Sequence, residues 1–184
     1  FAHAGTNKSH YENEIVSIVD CINEAQVLIS LDKKSKDLSF QLDADPTAMI
    51  LGDSQRLIQM LVNLISNARD ASRSGGKINL QANVEGDQVR ITITDEGVGI
   101  PAAIKDRIFD PFFTTKEAGE GTGLGLSLVF SIVEDLHGDI DIISPVGSAK
   151  SAGTQVILRF PRYQSAPELE IDDQDQETSS QQTV

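Results

Sequence analysis

The amino-acid sequence predicts an α/β (more strictly α+β) two-layer sandwich, in which a mixed β-sheet packs against helices. Strand-like alternation of apolar residues and helical spacing of apolar residues follow one another along the chain. Two strictly alternating segments, 77–84 and 88–94, are joined by Glu85-Gly-Asp87, which is the pattern of a β-hairpin. A hairpin places antiparallel strands in the sheet, so the pattern argues against a purely parallel sheet.

The first half of the chain predicts short strands around a helix. The expected elements are a strand over 13–18, a helix from about 20 to 31, and short strands at 38–42 and 49–51. The best-defined helix begins near Asp53 or Ser54. Its apolar stripe is Leu57, Leu61, Leu64, Ala68 and Ala71, and the pair Gly75-Gly76 is predicted to end it.

The second half predicts one more helix and two strands. A helical pattern follows a glycine-rich segment and runs through Leu136, where Gly138 is expected to stop it. Alternating segments at 139–143 and 154–160 predict the last two strands, before Pro161. These elements complete a mixed sheet covered by three helices.

Composition and charge narrow the class of protein. The 184 residues are 39% hydrophobic, and no apolar stretch approaches the roughly 20 residues that span a membrane. The lone cysteine, Cys21, permits no internal disulfide, which fits a reducing, cytosolic setting. The net charge is −13; six of the 28 acidic residues follow residue 164, which leaves 22 acidic residues against 15 basic ones in the remainder. This surplus argues against a nucleic-acid partner, because phosphate backbones require a basic face.

The most informative segment is Gly-Glu-Gly-Thr-Gly-Leu-Gly-Leu at 119–126. Glycines let backbone N–H groups turn toward an anion, and the helix that follows adds unpaired N–H groups and a positive dipole end. The segment therefore predicts a phosphate site, with a flexible loop as the alternative. It lacks the P-loop pattern and does not follow a strand, so neither a P-loop nor a dinucleotide-binding fold is supported. The histidines have no metal-ligand spacing with the cysteine, and no Ser–His–Asp arrangement is evident.

Asp95 is the most informative single residue. It has the same parity as Val89, Ile91 and Ile93 in the strand 88–95, so a carboxylate ends the core-facing side of a buried strand. A buried carboxylate requires a partner, and an adenine amino group is a suitable donor. The alternative is that Asp95 only caps the turn that follows, through its own backbone.

Asn63 and Asn67 lie four residues apart on one face of the helix over 54–72, with Met60 and Asp70 on the same side. Asparagine is a mediocre helix former, so two copies facing inward suggest a function. Mg²⁺ in nucleotide sites takes one or two oxygen ligands from protein, which an amide oxygen can supply. The alternative is a solvated polar face.

Between these sites lies Phe109-Asp-Pro-Phe-Phe-Thr-Thr-Lys116. Three phenylalanines around a proline can anchor an otherwise mobile loop, although each taken singly is more often a core residue. Lys116 is a candidate for contact with a terminal phosphate, with an ordinary surface lysine as the alternative. Residues 117–122 are expected to form a flexible lid.

Taken in order, these segments resemble the catalytic ATP-binding domain of bacterial sensor histidine kinases, in the GHKL superfamily. The similar segments are Asn63–Ala71 for the N box, Asp95–Gly99 for the first G box, Phe109–Lys116 for the F box, Gly121–Leu126 for the second G box and Gly153-Thr154 for the final glycine–threonine element. The likeness covers about residues 14 to 163. The sequences Pro-Phe-Phe-Thr-Thr-Lys and Asn-Ala-Arg-Asp-Ala are most similar to those of the nitrogen-regulation type of sensor kinase.

The resemblance implies the Bergerat ATP-binding fold, with ATP and Mg²⁺ as cofactors. Asp95 would bind the adenine amino group, with Thr154 helping through water and Gly97 and Gly99 shaping the turn. Asn67 would ligate Mg²⁺. Asn63 would contact phosphate or metal-bound water and Lys116 would meet the γ-phosphate, and these two are the implied catalytic residues. The other implied nucleotide-binding residues belong to the second G box: Gly121, Thr122, Gly123, Leu124 and Gly125.

The implied reaction is transfer of the γ-phosphoryl group to a histidine on a separate dimerisation domain of the same kinase. A response-regulator receiver domain would act downstream. The parent is expected to be a homodimer in the cytoplasm, with an inner-membrane anchor as an option, while this domain would touch neither membrane nor nucleic acid. The expected domains are 1–12 as the end of the dimerisation helix or a linker, 13–163 as the catalytic domain and 164–184 as an acidic disordered tail or linker.

Two features depart from the family pattern. Many members carry Lys or Arg three positions after the second Asn, where this chain has Asp70, and Arg69 does not simply inherit that role. The phosphoacceptor box is absent, because His3 lies in Phe1-Ala-His-Ala-Gly, which resembles the end of a dimerisation helix. The chain is therefore expected to be a fragment or one module of a longer protein.

Three other functions remain open on the sequence. A gyrase- or MutL-like conformational ATPase shares the fold, but such proteins place a water-activating Glu where this chain has Asn63. A serine kinase that regulates a sigma factor also shares the fold. A nucleotide-dead interaction module is the non-enzyme alternative, and the intact Asp95, Asn67 and glycines argue against it.

Overall fold

A computed structural model describes residues 14–32, 38–117, 121–146 and 152–165. Within these ranges the elements are β1 (Glu14–Ser17), α1 (Ile18–Ser30), β2 (Ser39–Ala44), β3 (Met49–Gly52), α2 (Ser54–Ala71), β4 (Lys77–Glu85), β5 (Gln88–Asp95), a 3₁₀ helix (Ala102–Arg107), α3 (Gly125–Asp135), β6 (Asp139–Ile143) and β7 (Thr154–Pro161). The described part of the chain thus contains the three expected α-helices.

The main sheet has five strands in the order β2-β4-β5-β7-β6. β2 runs parallel to β4, and every other pair in this sheet is antiparallel, so the predicted mixed sheet is confirmed. β4 and β5 form the predicted hairpin, with Glu85 opposite Gln88 and Gly86 at a φ of 64°. β1 and β3 form a separate antiparallel ribbon.

The helices cover one face of this sheet. Every second residue of the central strands points into the core, among them Ile91, Ile93 and Leu158, and all three are buried. The apolar stripe of α2 meets them through Leu57, Leu61 and Leu64, which are also buried. Burial of these two matched faces is the main stabilising term, and it fixes α2 above the centre of the sheet.

Helix α2 matches the predicted span 54–72 to within one residue, but it does not continue to the glycine pair at 75–76. The Asp53 side chain accepts hydrogen bonds from the N–H groups of Gln55 (2.9 Å) and Arg56 (3.1 Å), which makes it the N-cap. The helix ends at Ala71, because the backbone of Ser72 turns to an extended conformation with a ψ of 155°. The Ser72 hydroxyl also donates to the Ala68 carbonyl (2.7 Å) at this end of the helix. The predicted stop at the glycine pair is therefore wrong.

The last strand leaves the fold beside the ribbon. Tyr163 N–H donates to the Met49 carbonyl (2.8 Å), and Met49 pairs with Ser17. This end of the sheet, where Gln88 faces Pro161, is opposite to the end that carries Asp95. Residues 1–13 and 166–184 lie outside the described residues, so the roles expected for the two ends of the chain stay predictions.

Among the described residues, no helix combines the length and the apolar character that crossing a bilayer requires.

Candidate functional site

Asp95 is the last residue of β5, and Thr154 is the first residue of the neighbouring strand β7. Together they form the floor of a pocket, which is one of the two parts of the candidate site. The two residues face each other in the β5–β7 register, and both are buried, with Asp95 only 6% exposed. Asp95 Oδ1 accepts hydrogen bonds from Gly97 N–H (2.8 Å) and Thr154 N–H (3.2 Å). Both of these bonds end on the same oxygen, so Asp95 caps its turn with Oδ1 and keeps Oδ2 for a donor on a ligand.

The environment of Asp95 disfavours its charge. Burial raises the pKa of the Asp95 carboxyl above its ordinary value of 3.8, and the two backbone hydrogen bonds only partly oppose this effect. A buried acceptor of this kind is stabilised when a ligand donates to it. Its position therefore fits the amino group of an adenine ring.

The turn after Asp95 requires glycine for steric reasons. A Cβ at Gly97 would lie 2.7 Å from the Ala71 carbonyl oxygen and 2.7 Å from Asp95 Oδ1, which is closer than real side chains approach. Gly99 has a φ of 74°, and a Cβ there would lie 2.8 Å from Ala152. The two glycines let the turn pass between the end of α2 and the start of β7.

Ser144 holds this turn in place, although no sequence pattern singles it out. Its hydroxyl accepts from Ile100 N–H (2.8 Å), donates to the Gly153 carbonyl (2.9 Å) and lies 3.3 Å from the Thr154 hydroxyl. A single serine after a strand carries no signal that would have identified it in advance. Ser144 thus ties the end of β6 to both sides of the pocket floor.

Asn63 and Asn67 lie on the face of α2 that leads from the core to the surface. Met60 on this face is fully buried, the two asparagines are half-buried, and Asp70 is partly exposed. A Cβ on Gly125, the first residue of α3, would lie 3.6 Å from Asn63 Oδ1. The fold therefore brings the N box against the start of the helix that follows the glycine run.

The start of α3 offers its backbone to an anion. Its N-cap, Leu124, makes no side-chain hydrogen bond to the helix, and its own N–H donates to the Thr122 hydroxyl (3.3 Å). The first N–H groups of an α-helix have no partner within the helix, and they carry its positive dipole end. This arrangement fits the phosphates of a nucleotide.

Phe112 shows the largest departure from expectation. The residue is 75% exposed and its φ is 66°, so the expectation of core packing is wrong for Phe112. Phe112 N–H donates to the Gly123 carbonyl (2.9 Å), and a Cβ on Gly123 would overlap the Phe112 backbone. The F box and the second G box are thus bound to each other by backbone rather than by packed rings.

The other two phenylalanines of the F box are half-buried and not in the core. Phe109 packs against Phe130 of α3 with ring centroids 5.5 Å apart, and Phe113 lies under the Arg107 guanidinium, 4.7 Å from the ring centre. The contact of Phe109 anchors the loop on α3, and that of Phe113 anchors it on the end of the 3₁₀ helix, as the interpretation of the phenylalanines as anchors predicted.

Lys116 lies at the phosphate side of the site. Its ammonium pairs with Asp70 at 2.5 Å, and a Cβ on Gly121 would lie 3.2 Å from both the Cβ and the Cδ of Lys116. Burial alone would raise the pKa of Asp70, but hydrogen bonds and the charges of Lys116 and Arg69 outweigh it and hold that pKa below its ordinary value. Residues 118–120 of the predicted lid lie outside the described residues.

The described residues therefore form two groups on either side of the end of α2. One group, around Asp95, suits a purine base; the other, around Asn63, Asn67, Lys116 and Gly121–Gly125, suits phosphates. The described part of the chain has no group of three or more His, Cys, Asp or Glu that could hold a metal ion by itself. A divalent ion here would need oxygen from phosphate in addition to an asparagine, as is usual for Mg²⁺.

Comparisons with known proteins agree with this arrangement. The family described as histidine kinase-, DNA gyrase B-, and HSP90-like ATPase matches residues 52–164. The chain is 39% identical over 144 residues to the sensor histidine kinase ZraS of Escherichia coli K12, which covers 78% of this chain and 30% of ZraS. It is 32% identical over 152 residues to sporulation kinase B of Bacillus subtilis, covering 82% of this chain and 34% of that protein. The chain thus spans about a third of these relatives.

Solved structures are also similar. The mycobacterial sensor histidine kinase MprB superposes with a TM-score of 0.74 at 25% identity, covering 83% of this chain and 99% of MprB. Full-length ShkA in complex with AMPPNP gives 0.70 at 26% identity, covering 85% and 32%. Histidine kinase ThkA in complex with the response regulator TrrA gives 0.66 at 29% identity, covering 82% and 42%.

Proposed function

The chain belongs to the family of histidine kinase-, DNA gyrase B- and HSP90-like ATPases, and we propose that it is the ATP-binding catalytic domain of a sensor histidine kinase. The observation that carries this proposal is the pair of complementary half-sites beside the end of α2. A buried acceptor for a purine amino group lies at one half-site, and a glycine-rich helix start lies at the other. The names of two similar proteins, sensor histidine kinase ZraS and sporulation kinase B, support it.

Each residue of the site has a role in this proposal. Asp95 accepts from the adenine amino group, Thr154 contributes to the base pocket, and Gly97 and Gly99 shape it. The phosphates lie against the residues of the second G box: Gly121, Thr122, Gly123, Leu124 and Gly125. Asn63 and Lys116 contact the terminal phosphate, where Lys116 neutralises the charge that develops during transfer.

Asn67 would hold Mg²⁺ through its amide oxygen. Bound there, the metal would supply charge neutralisation at the phosphates. We expect Asn67→Ala to weaken ATP binding about tenfold in Mg²⁺ and by no more than about twofold with the metal chelated, because the lost contact is to the metal. Calorimetry under the two conditions makes the comparison. Equal losses with and without Mg²⁺ would remove Asn67 from the metal site.

The chemistry at the γ-phosphate favours transfer over hydrolysis. Asn63 lies where hydrolytic relatives place a general base, and an amide cannot take a proton from water. In the proposed reaction the bond from the γ-phosphorus to the bridging oxygen breaks, a bond to an imidazole nitrogen forms, and ADP leaves. The domain contributes positioning and charge neutralisation, and the nucleophile comes from the acceptor domain.

We expect the chain alone to bind Mg²⁺–ATP, to hydrolyse it barely above background and not to label itself. Adding a separate dimerisation domain from the same parent should give labelling of that domain's histidine, at low efficiency because no tether raises the effective concentration. Radiolabel from γ-³²P-ATP and phosphate release measure the two outcomes. Rapid hydrolysis by the chain alone would favour the gyrase-like function, and stable labelling of His3 or His10 would contradict the proposed division into domains.

The partners follow from this function. The acceptor domain would be the dimerisation domain of the same kinase, in a homodimeric parent, and a response-regulator receiver domain would take the phosphoryl group. The complex of the similar kinase ThkA with a response regulator supports the second partner. The Pro-Phe-Phe-Thr-Thr-Lys wording supports the nitrogen-regulation type, and the domain would act on the cytoplasmic side, whether or not the parent is anchored in the inner membrane.

A further inference from the structure

Four charged residues form a row that crosses the end of α2. Arg69 pairs with Asp32 at the end of α1 (2.8 Å) and, through its Nε, with Asp70 Oδ1 (3.1 Å). Asp70 Oδ2 in turn accepts from the Lys116 ammonium at 2.5 Å. The charges alternate along the row, from carboxylate to guanidinium to carboxylate to ammonium. We refer to these residues as the charge row.

The inner part of the charge row is fixed, and its outer end lies at the phosphate side of the site. Arg69 is only 5% exposed and also donates to the Ser66 hydroxyl (3.1 Å). Its guanidinium is therefore fixed, and its ion pair with Asp70 Oδ1 fixes that carboxylate on the core side. Asp70 continues the face of α2 that carries Asn63 and Asn67, and Lys116 lies beside Gly121. The lysine head is therefore held where the terminal phosphate would lie.

The Asp70–Lys116 pair contributes little to folding. Both side chains are about one-third exposed, and water screens the attraction within ion pairs of that exposure. Asp70 uses one of the three N–H donors of the ammonium, which leaves the others available to a phosphate at the same time. The ion pair thus orients the Lys116 ammonium and leaves N–H donors of the ammonium available to a phosphate.

We propose that Asp70 is a positioning residue that holds the Lys116 ammonium at the terminal phosphate of the nucleotide. This inference rests on the proposed function, because it assigns a role within the same site. It accounts for a departure from the family pattern, in which many members carry Lys or Arg at the place of Asp70. Here the helix carries a carboxylate, and the loop supplies the cation that the carboxylate holds. Arg69 cannot supply this cation, since its guanidinium points toward α1 and pairs with Asp32.

The test compares ATP with ADP, which lacks the phosphate that Lys116 would contact. We expect Asp70→Asn to weaken Mg²⁺–ATP binding about tenfold and Mg²⁺–ADP binding by no more than about twofold, the ratio that corresponds to one charge-assisted hydrogen bond. Lys116→Met should give the same pattern. The double variant should bind ATP no more weakly than the weaker single variant, because both substitutions remove one interaction. Isothermal calorimetry on the full chain measures the affinities of the unsubstituted chain and of the three variants for both nucleotides.

Two further variants separate positioning from a structural role. Asp70→Glu should keep most of the preference for ATP over ADP, since it keeps the carboxylate. Asp70→Lys combined with Lys116→Met places the cation on the helix, as in many relatives, and should regain at least about half of that preference on a logarithmic scale. The matched control is Asp135→Asn, which breaks the 2.6 Å pair between α2 residue Arg56 and α3 and should leave both affinities unchanged.

Three outcomes would overturn the inference. The first is an equal loss of ATP and ADP affinity in Asp70→Asn, which would indicate a structural role. The second is tighter ATP binding by Asp70→Asn, which would make the pair a competitor of the phosphate. The third is a relocated lysine that regains no preference for ATP. Absence of ATP binding by the unsubstituted chain is a separate result, and it would contradict the proposed function itself.

Discussion

Replacing Asp95 by asparagine is expected to weaken ATP binding by at least about 100-fold while leaving the fold intact. The Asn oxygen can take the place of Oδ1 and keep the hydrogen bonds from Gly97 and Thr154. The amide nitrogen then replaces Oδ2, so that a donor faces the amino group of adenine. Two buried donors in contact have no hydrogen bond to share, which is why the expected loss is large.

The same variant has a stability signature whose sign follows from the pKa of Asp95. A raised pKa means that ionised Asp95 destabilises the folded state. The destabilisation by ionised Asp95 is absent at a pH below its ordinary pKa of 3.8, and it is complete at a pH above the raised pKa of the folded protein. Asp95→Asn, without nucleotide, should therefore unfold at an equal or higher temperature than the unsubstituted chain at pH 7, and the difference should shrink as the pH falls through this window.

Calorimetry and thermal unfolding together check the prediction, and GTP provides the control ligand. Guanine carries an oxygen where adenine carries its amino group, so the variant should lose less affinity for GTP than for ATP. A folded Asp95→Asn protein with unchanged ATP affinity would show that adenine does not donate to this carboxylate.

Gly97→Ala is expected to lower the free energy of unfolding by about 2–3 kcal/mol and to abolish ATP binding at millimolar nucleotide. The added methyl group would meet the Ala71 carbonyl and Asp95 Oδ1, each at 2.7 Å. Neither neighbour can move away freely, because Ala71 O also accepts from Val98 N–H (3.2 Å) and Asp95 is held by two backbone donors. The turn must therefore lift off the end of α2, and the base pocket opens with it.

Gly86→Ala is the matched control for this substitution. Gly86 lies in the β4–β5 turn with a φ of 64°, and a Cβ there would meet nothing within 4 Å. Its replacement should lower the free energy of unfolding by about 1 kcal/mol, through backbone strain alone, and should leave ATP affinity unchanged. Denaturant titration and calorimetry measure both quantities. Equal effects of the two alanines on nucleotide binding would contradict the steric argument for Gly97.

Local patterns predicted the elements of the fold and the burial of Asp95. Apolar periodicity identified the strands, and parity within β5 placed Asp95 on the same side as Ile91 and Ile93, as the structure confirms. The glycine spacing identified where the backbone must come close to another segment. Such features depend on neighbours in sequence, so the sequence carries them directly.

Contacts between distant segments were beyond the reach of sequence patterns. Ser144 meets Ile100 across 44 positions, and Lys116 meets Asp70 across 46, so no local periodicity encodes either contact. A phenylalanine taken singly is more often a core residue, but Phe112 is 75% exposed and is bound to Gly123 through its backbone. The glycine pair at 75–76 does not end α2, because the backbone is already extended at Ser72.

The path of the last strand has a consequence for the architecture of any longer protein. Asp95 and Gln88 are seven residues apart along β5, so the base pocket lies about 23 Å from the end of the sheet where the chain leaves at Pro161. The first strand, β1, lies beside that same exit, through the contact of Tyr163 with Met49. Flanking segments therefore join the folded body on one side, remote from the pocket. We therefore expect that lengthening or exchanging the flanking segments leaves the shape of the pocket unchanged.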